Sequence, residues 1–321
     1  MRLLISGAGG FLGSALSRRL AVLPNSEVIG IYRRAPTSGD FLPGCAPLIG
    51  NLDANQDWSG LPRQSHVLVH AAARVHVMND TAPDPLAEYR TTNVEGTLNL
   101  ARQAAAAGLR RFIYISTLKV NGESTRDGSA FSADDAPAPL DAYAVSKWEA
   151  EQGLREMAAR TGLEVVIIRP PLVYGPGVKG NFRSMMRWLR RGIPLPLAAI
   201  GNRRSLVNLD NLLDLIVTCI DHPAAANQTF LVSDGEDLST PALLKRTAAA
   251  LGTRARLVRA PIWLLRAGAA ALGRPGAVRR LSESLCADIS KNRRLLDWAP
   301  PASIDDGLKK TAAEFLHETR N

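Results

Sequence analysis

Residues 2–13 read RLLISGAGGFLG. Arg2 to Ser6 is a short apolar run, the pattern of a strand buried on both faces. It runs straight into Gly7-Ala8-Gly9-Gly10-Phe11-Leu12-Gly13, where glycines 7, 10 and 13 give the spacing GxxGxxG. An amphipathic stretch, Phe11 to Leu23, follows. A turn of this kind lets backbone approach a pyrophosphate with no Cβ in the way. The helix behind it then offers its N-terminal N–H groups and dipole to the phosphates. A glycine pattern alone is weak. Here it closes a strand and opens a helix, the context that gives it meaning.

Apolar runs continue to alternate with helical stretches. Glu27–Tyr32, His66–His70, Arg111–Ser116, Glu164–Arg169 and Thr229–Ser233 read as strands, and Val94–Ala107 as a helix closed by Gly108. The alternation predicts an α/β fold with a parallel sheet wound on both faces, of the Rossmann type. From Pro170 onward Pro and Gly are denser and the alternation breaks. The expected division is a dinucleotide-binding part over 1–170, to which the chain returns at about 205–234. A smaller, mostly helical substrate part takes 171–204 and 235–321.

Composition narrows the classes. The chain of 321 residues is 46% hydrophobic and 21% charged, the balance of a folded globular protein and not of a disordered one. Its net charge of +9 favours an anionic partner. The basic pairs, from Arg18-Arg19 to Arg293-Arg294, are scattered along the chain without interleaved aromatics. They read as solvated surface charge, and no nucleic-acid partner is expected. Cys45, Cys219 and Cys286 are widely spaced with no CxxC, which speaks against a disulfide framework or a metal site and for a reducing compartment. The glycines interrupt any signal-peptide core at the N-terminus. The apolar segment 261–272 holds Arg266 and is too short to span a bilayer. A cytoplasmic location is expected.

Cofactor choice is read at the end of the second strand. An acid there would bond the ribose 2′-OH of NAD, and this chain has Tyr32-Arg33-Arg34 instead. Arginine pairs with phosphate. The reading favours NADP(H), with NAD(H) as the alternative and Arg33 as the contact. Asn51-Leu52 falls after the third strand, where the adenine edge would lie. His70-Ala71-Ala72-Ala73 follows the fourth, with small residues where backbone must pass the cofactor. His70 serves equally well as a core histidine.

Tyr143-Ala144-Val145-Ser146-Lys147 is YxxxK in a helical stretch, and the spacing puts both side chains on one face. An adjacent ammonium favours the phenolate and lowers the tyrosine pKa, fitting the phenol for general acid or base work. Lys147 can also hold a ribose. Ser116-Thr117 ends the fifth strand, where a hydroxyl can bond the same substrate oxygen. Thr117 could also simply bond its own backbone.

The combination Gly7/Gly10/Gly13, His70-Ala71-Ala72, Asn93-Val94-Glu95-Gly96-Thr97, Thr117 and Tyr143/Lys147 resembles the extended short-chain dehydrogenases/reductases, the NAD-dependent epimerase/dehydratase family. The resemblance spans essentially the whole chain. It implies Tyr143 as catalytic acid/base, Lys147 as its partner and ribose anchor, and Thr117 as a substrate contact. Gly7, Gly10, Phe11, Leu12, Gly13, Ala71, Ala72 and Pro170 would line the cofactor. Arg204 would hold a nucleotide-sugar pyrophosphate, with Asn181 near the same phosphates. A homodimer formed through helices near 94–107 and 143–160 is implied as well.

More narrowly, HAAARVHVMND (70–80), STLKVNGE (116–123), IIRPPLVYGPGVKGNF (167–182) and NRRSLV (202–207) resemble bacterial reductases acting on UDP-4-keto-6-deoxy-N-acetylglucosamine in surface-polysaccharide (O-antigen) synthesis. The expected reaction is reduction of the C4 keto group of such a UDP-sugar. A UDP-hexose or UDP-N-acetylhexosamine 4-epimerase with tightly bound NAD is the alternative. A dehydratase would need an acid pair after Thr117, where this chain has Leu118-Lys119. Leu172 also departs from the asparagine the family often has there. A non-catalytic dinucleotide sensor or RNA-binding relative is the third reading, and it would leave the Tyr143/Lys147 pair without a task.

Overall fold

The structure, a computed structural model, describes residues 1–36, 45–75, 84–126, 128–271 and 275–319. Residues 76–80 of the HAAARVHVMND stretch lie outside them.

Six strands, β1 (Arg2–Ser6), β2 (Glu27–Tyr32), β3 (Cys45–Ile49), β4 (Val67–His70), β5 (Arg111–Ile115) and β6 (Glu164–Arg169), precede a short β7 (Leu172–Tyr174). Then come β8 (Arg204–Asn208), β9 (Thr229–Leu231) and β10 (Asp237–Leu238). The helices are α1 (Phe11–Ala21), α2 (Pro85–Arg90), α3 (Thr97–Ala106), α4 (Ala142–Thr161), α5 (Gly180–Arg190), α6 (Leu209–Asp221) and α7 (Thr240–Ala250). They continue with α8 (Ile262–Ala271), α9 (Pro275–Ser282), α10 (Ser290–Leu296) and α11 (Ile304–Glu318).

Among the described residues the main sheet has seven strands in the order β3-β2-β1-β4-β5-β6-β9, all parallel. The order reverses between β1 and β4, the crevice where doubly wound sheets bind ligands. Side chains alternate across the sheet. Leu3 and Ile5 pack towards α1 and α6, and Leu4 packs towards α3 and α4. Because both faces are covered, the central strands are apolar throughout, which is why they were legible in the sequence.

Two elements differ from the sequence reading. The strand ahead of Asn51 is Cys45–Ile49, a sheet-edge strand with three exposed residues and a proline, Pro47. Proline cannot donate to a ladder and is confined to edges, so no apolar alternation marks this strand. The expected helix Val94–Ala107 is the second half of a longer one. It opens at α2 and passes through a π-helical turn, Thr91–Gly96, before α3. Such turns are frequent at functional sites.

Beyond β6 a second sheet of three strands forms, in the order β10-β8-β7. Its core gathers α5, α7 and α11 around Tyr174, Phe182, Met186 and Phe315. The chain returns to the main sheet through α6, which packs on the β1 side of the core, and through β9.

Candidate active site

The glycine turn stands where β1 meets α1. Gly7 has φ +74°, and a Cβ there would come within 2.9 Å of Ala72 backbone. A Cβ on Gly13 would fall 2.1 Å from the Gly7 carbonyl oxygen, so the first turn of α1 is pressed onto the loop. The N-cap of α1 is Gly10, which supplies no side-chain cap, and the first turn carries no acid. These residues form a bare, positively polarised cradle that fits a dinucleotide pyrophosphate. Ala71 and Ala72 border it, and their N–H groups are held by the Ser6 carbonyl and hydroxyl oxygens.

His70 ends β4 in full burial. Its Nδ1 lies 2.7 Å from the Ser6 hydroxyl and its Nε2 lies 2.9 Å from that of Thr97. Burial, helped by the Lys147 charge, drives its pKa down to about 3. It is a neutral core histidine. Arg33 is exposed just past β2, and its neighbours Tyr32 and Arg34 are not acids. Asn51 is exposed and its N–H donates to Gln56, while Leu52 packs against Gly96 of the π-helical turn. Pro170 is buried at the end of β6, and its carbonyl accepts from Leu118 N–H at 2.9 Å.

Thr117 leaves β5 as the cap of a single helical turn, Leu118–Val120, and its hydroxyl accepts a long 3.4 Å bond from Lys119 N–H. So long a bond adds little and leaves the hydroxyl able to turn to another partner. Lys119 reaches from this turn to Asp141 at 2.5 Å. Asp141 in turn caps α4 by accepting from Ala144 N–H at 2.7 Å. The turn carrying Thr117 is thereby tied to the first turn of α4, which carries Tyr143.

Tyr143 is half-buried, with its ring edge-on to Tyr89 at 6.0 Å. Lys147, one turn on, is buried with its ammonium 4.0 Å from the centre of the Tyr114 ring. Burial sets two charge effects here, and the first is opposite to the sequence expectation. The tyrosine pKa is raised, by burial first and then by Asp141 and Tyr89. Burial also pulls the lysine down to about 7, against the opposing effect of Glu151. Desolvation is the largest cause of both shifts.

Sequence reasoning missed what stands behind the pair. Glu151 lies one turn beyond Lys147 and is fully buried. It accepts from Ser116 Oγ at 2.5 Å and from Arg169 at 2.9 and 2.6 Å, while Arg155 adds a bond at 3.0 Å. Arg169 continues to Asn121 at 2.9 Å. One carboxylate therefore joins the end of β5, the middle of α4 and the end of β6. The spacing Lys147-x-x-x-Glu151 was a signal that could have found it. Asn93, in the π-helical turn, makes a second strut: it bonds both backbone groups of Arg74 and donates to Ser146 Oγ at 3.0 Å. The remaining two expected residues lie on the small-sheet side. Arg204 is half-buried on β8 and donates to the Glu283 carbonyl at 3.2 Å, and Asn181 is exposed in the first turn of α5.

Strand order, glycine cradle and switch-point crevice define a dinucleotide-binding protein of the Rossmann type. The profile of the NAD dependent epimerase/dehydratase family matches residues 3–233, and the chain belongs to that family. It is 45% identical over 315 residues to a UDP-glucose 4-epimerase of Vibrio cholerae, covering 98% of this chain and 95% of that one. Two solved structures share the fold. One is UDP-glucuronic acid 4-epimerase from Bacillus cereus in complex with NAD, with TM-score 0.80, 23% identity and 99% of each chain covered. The other is UDP-glucose 4-epimerase from Thermotoga maritima with UDP-glucose, with TM-score 0.80, 20% identity and 100% of each chain covered.

Proposed function

We propose that this chain is an enzyme that oxidises and reduces C4 of a UDP-sugar, and that the net reaction is 4-epimerisation of a UDP-hexose or UDP-N-acetylhexosamine. The observation that carries the reading is the 45% likeness, over nearly the full length of both chains, to a protein named UDP-glucose 4-epimerase. Thr117, tied to the first turn of α4 through Lys119 and Asp141, would supply the chemistry together with Tyr143 and Lys147 of that helix. The dinucleotide, when bound, accepts and returns the hydride.

The chain's own groups do the rest. Tyr143, in the phenolate form that Lys147 and the positive ring of an oxidised nicotinamide would favour, would take the proton of the C4 hydroxyl and later give it back. Thr117 donates to the same oxygen and steadies its charge. Lys147, whose fall in pKa on burial Glu151 opposes, lies one helical turn from Tyr143 and would hold the nicotinamide ribose. Arg204 and Asn181 would grip the diphosphate from the small-sheet side, so that binding energy far from C4 orients the sugar. The dinucleotide part would thus be 1–170 with the return at 205–234, and the substrate part 171–204 and 235–321. Pairing of two copies through α3 and α4 belongs to the same proposal.

A second reading is one-way reduction of a UDP-4-keto-6-deoxy-N-acetylhexosamine. Arg33 favours it, because it leaves the end of β2 exposed and without an acid to bond a ribose 2′-OH. That residue is also what supports NADP(H) over the NAD present in the B. cereus structure. A dehydratase is disfavoured by Lys119, which is engaged with Asp141 and cannot replace the missing acid pair.

One experiment separates the two. Purified protein is given UDP-glucose and UDP-N-acetylglucosamine without added reductant, and C4 epimers are resolved by chromatography. In parallel, UDP-4-keto-6-deoxy-N-acetylglucosamine is offered with NADH or NADPH, and loss of reduced-nicotinamide absorbance is followed. Epimer formation establishes the first reading. Rapid nicotinamide oxidation without epimer formation replaces it with the second.

A further inference from the structure

The excess positive charge of this protein is not spread evenly. From residue 165 to 209 the sequence has eight Lys or Arg and no acid, and from 238 to 282 it has nine and no acid. Together these exceed the net +9 of the chain, so the remainder carries more acids than bases. Some of these cations are used internally: Arg169 pairs with Glu151, Arg183 with Glu318 and Arg246 with Glu236. Among the described residues, Arg187, Arg191, Arg254, Arg256 and Arg259 are exposed and make no ion pair.

The fold brings the two stretches together. Leu195 and Leu257 form a β-bridge, with Leu195 N–H bonded to the Arg256 carbonyl at 2.8 Å and Ala198 N–H to that of Val258 at 3.1 Å. The end of α5, the segment after it and the approach to α8 therefore form one continuous surface. Large apolar side chains stand out from it. Trp263 is 69% exposed, Val258 52%, Leu264 50% and Trp188 48%, with Ile193 and Ile262 beside them. Three of these, Ile262, Trp263 and Leu264, are consecutive in the first turn of α8.

Scattered exposed apolar residues need no explanation, but six of them interspersed with unpaired cations along segments joined by a β-bridge do. We propose that this face, built from the end of α5, residues 191–200, residues 254–261 and the start of α8, docks on an anionic lipid surface. Trp and Leu enter the headgroup boundary, where an indole is at ease with one edge apolar and one wet. The arginines pair with lipid phosphates, to which a guanidinium is well matched. A nucleic acid would use the cations but has no place for aliphatic tips. A second copy of the chain would bring arginines against arginines. The mode is peripheral, since no helix among the described residues is long and apolar enough to cross a membrane. The inference is independent of the sugar chemistry.

The test is co-sedimentation of the full chain with vesicles of phosphatidylcholine alone and of equal parts phosphatidylcholine and phosphatidylglycerol. Binding to the mixed vesicles is expected, at least about tenfold above neutral ones and weakening with salt. Arg254→Glu/Arg259→Glu and Trp263→Ala/Leu264→Ala should each reduce it about tenfold or more. Circular dichroism, size by light scattering and turnover of soluble UDP-sugar should stay as in the parent. Absent or charge-indifferent vesicle binding overturns the proposal. So does binding that survives Trp263→Ala/Leu264→Ala, as it would for an RNA-type site. So does conversion of an oligomer to a monomer by the same substitutions, which would make the face an interface between copies.

Discussion

The Glu151 carboxylate accepts hydrogen bonds from the Arg169 guanidinium at 2.9 and 2.6 Å, and neither side chain is open to water. Removing one member of a buried pair strands the other charge. Glu151→Ala is expected to cost about 3–5 kcal/mol, whereas Glu151→Leu/Arg169→Leu recovers most of that, as buried pairs do when both partners go. Urea unfolding of the three proteins decides it. Equal losses in the single and double variants would refute the pairing argument.

The same carboxylate has an effect on charge that a mere brace would not have. Lys147 is pulled down to about 7 by burial, and Glu151 works against that pull. In Glu151→Gln the lysine loses its proton at lower pH still. The alkaline limb of the rate profile therefore moves to lower pH, with more activity retained in mild acid than at neutrality. An unmoved limb would reduce Glu151 to packing.

Tyr143→Phe removes the proton donor and acceptor but keeps the ring against Tyr89. A fall in kcat of about 10²–10⁴ with little change in KM is expected. Steady-state rates with any UDP-sugar that turns over are sufficient. A variant with near-parental kcat would take the acid/base role away from Tyr143.

The glycines of the cradle should differ sharply in tolerance. A Cβ at Gly13 meets the Gly7 carbonyl oxygen at 2.1 Å, which is backbone and cannot swing away. At Gly9 it meets only the Tyr32 ring at 3.6 Å, an ordinary contact. Gly13→Ala should lower Tm and abolish dinucleotide binding, while Gly9→Ala leaves both close to the parent. Calorimetric titration with NAD and NADP reads the binding.

His70 predicts acid lability. Folded, it stays neutral down to about pH 3. Unfolded, it takes a proton below about 6.5. Between these values the unfolded chain binds more protons, so stability falls as pH falls, by a few kcal/mol over the whole window. His70→Asn should be less stable at pH 7 yet show a flatter decline in acid. Parallel slopes in the two proteins would assign the acid transition to other groups.

The alternating strands, the glycine turn and the Tyr143–Lys147 spacing were legible because each is local. A strand buried on both faces must be apolar, a cradle must be bare of Cβ, and one helical turn sets which side chains share a face. Those constraints determined the α/β class, the parallel sheet and the segments from which the candidate site is built. Edge strand β3 was not legible, because its burial is one-sided and Pro47 spoils the pattern. Nor was the direction of the Tyr143 shift or the lowering of the Lys147 pKa, since desolvation depends on what other elements pack over a group.

Tertiary structure alone decided two further things. It brought Ser116, Glu151 and Arg169 from three elements to one buried point; the helical spacing to Lys147 marks Glu151, but not the partners it meets. It also joined two acid-free stretches of chain, through the Leu195–Leu257 bridge, into a single basic and apolar face. Read along the sequence, those arginines are scattered surface charge. Coulomb energy and hydrophobic area depend on distance in space, and only the fold sets that distance.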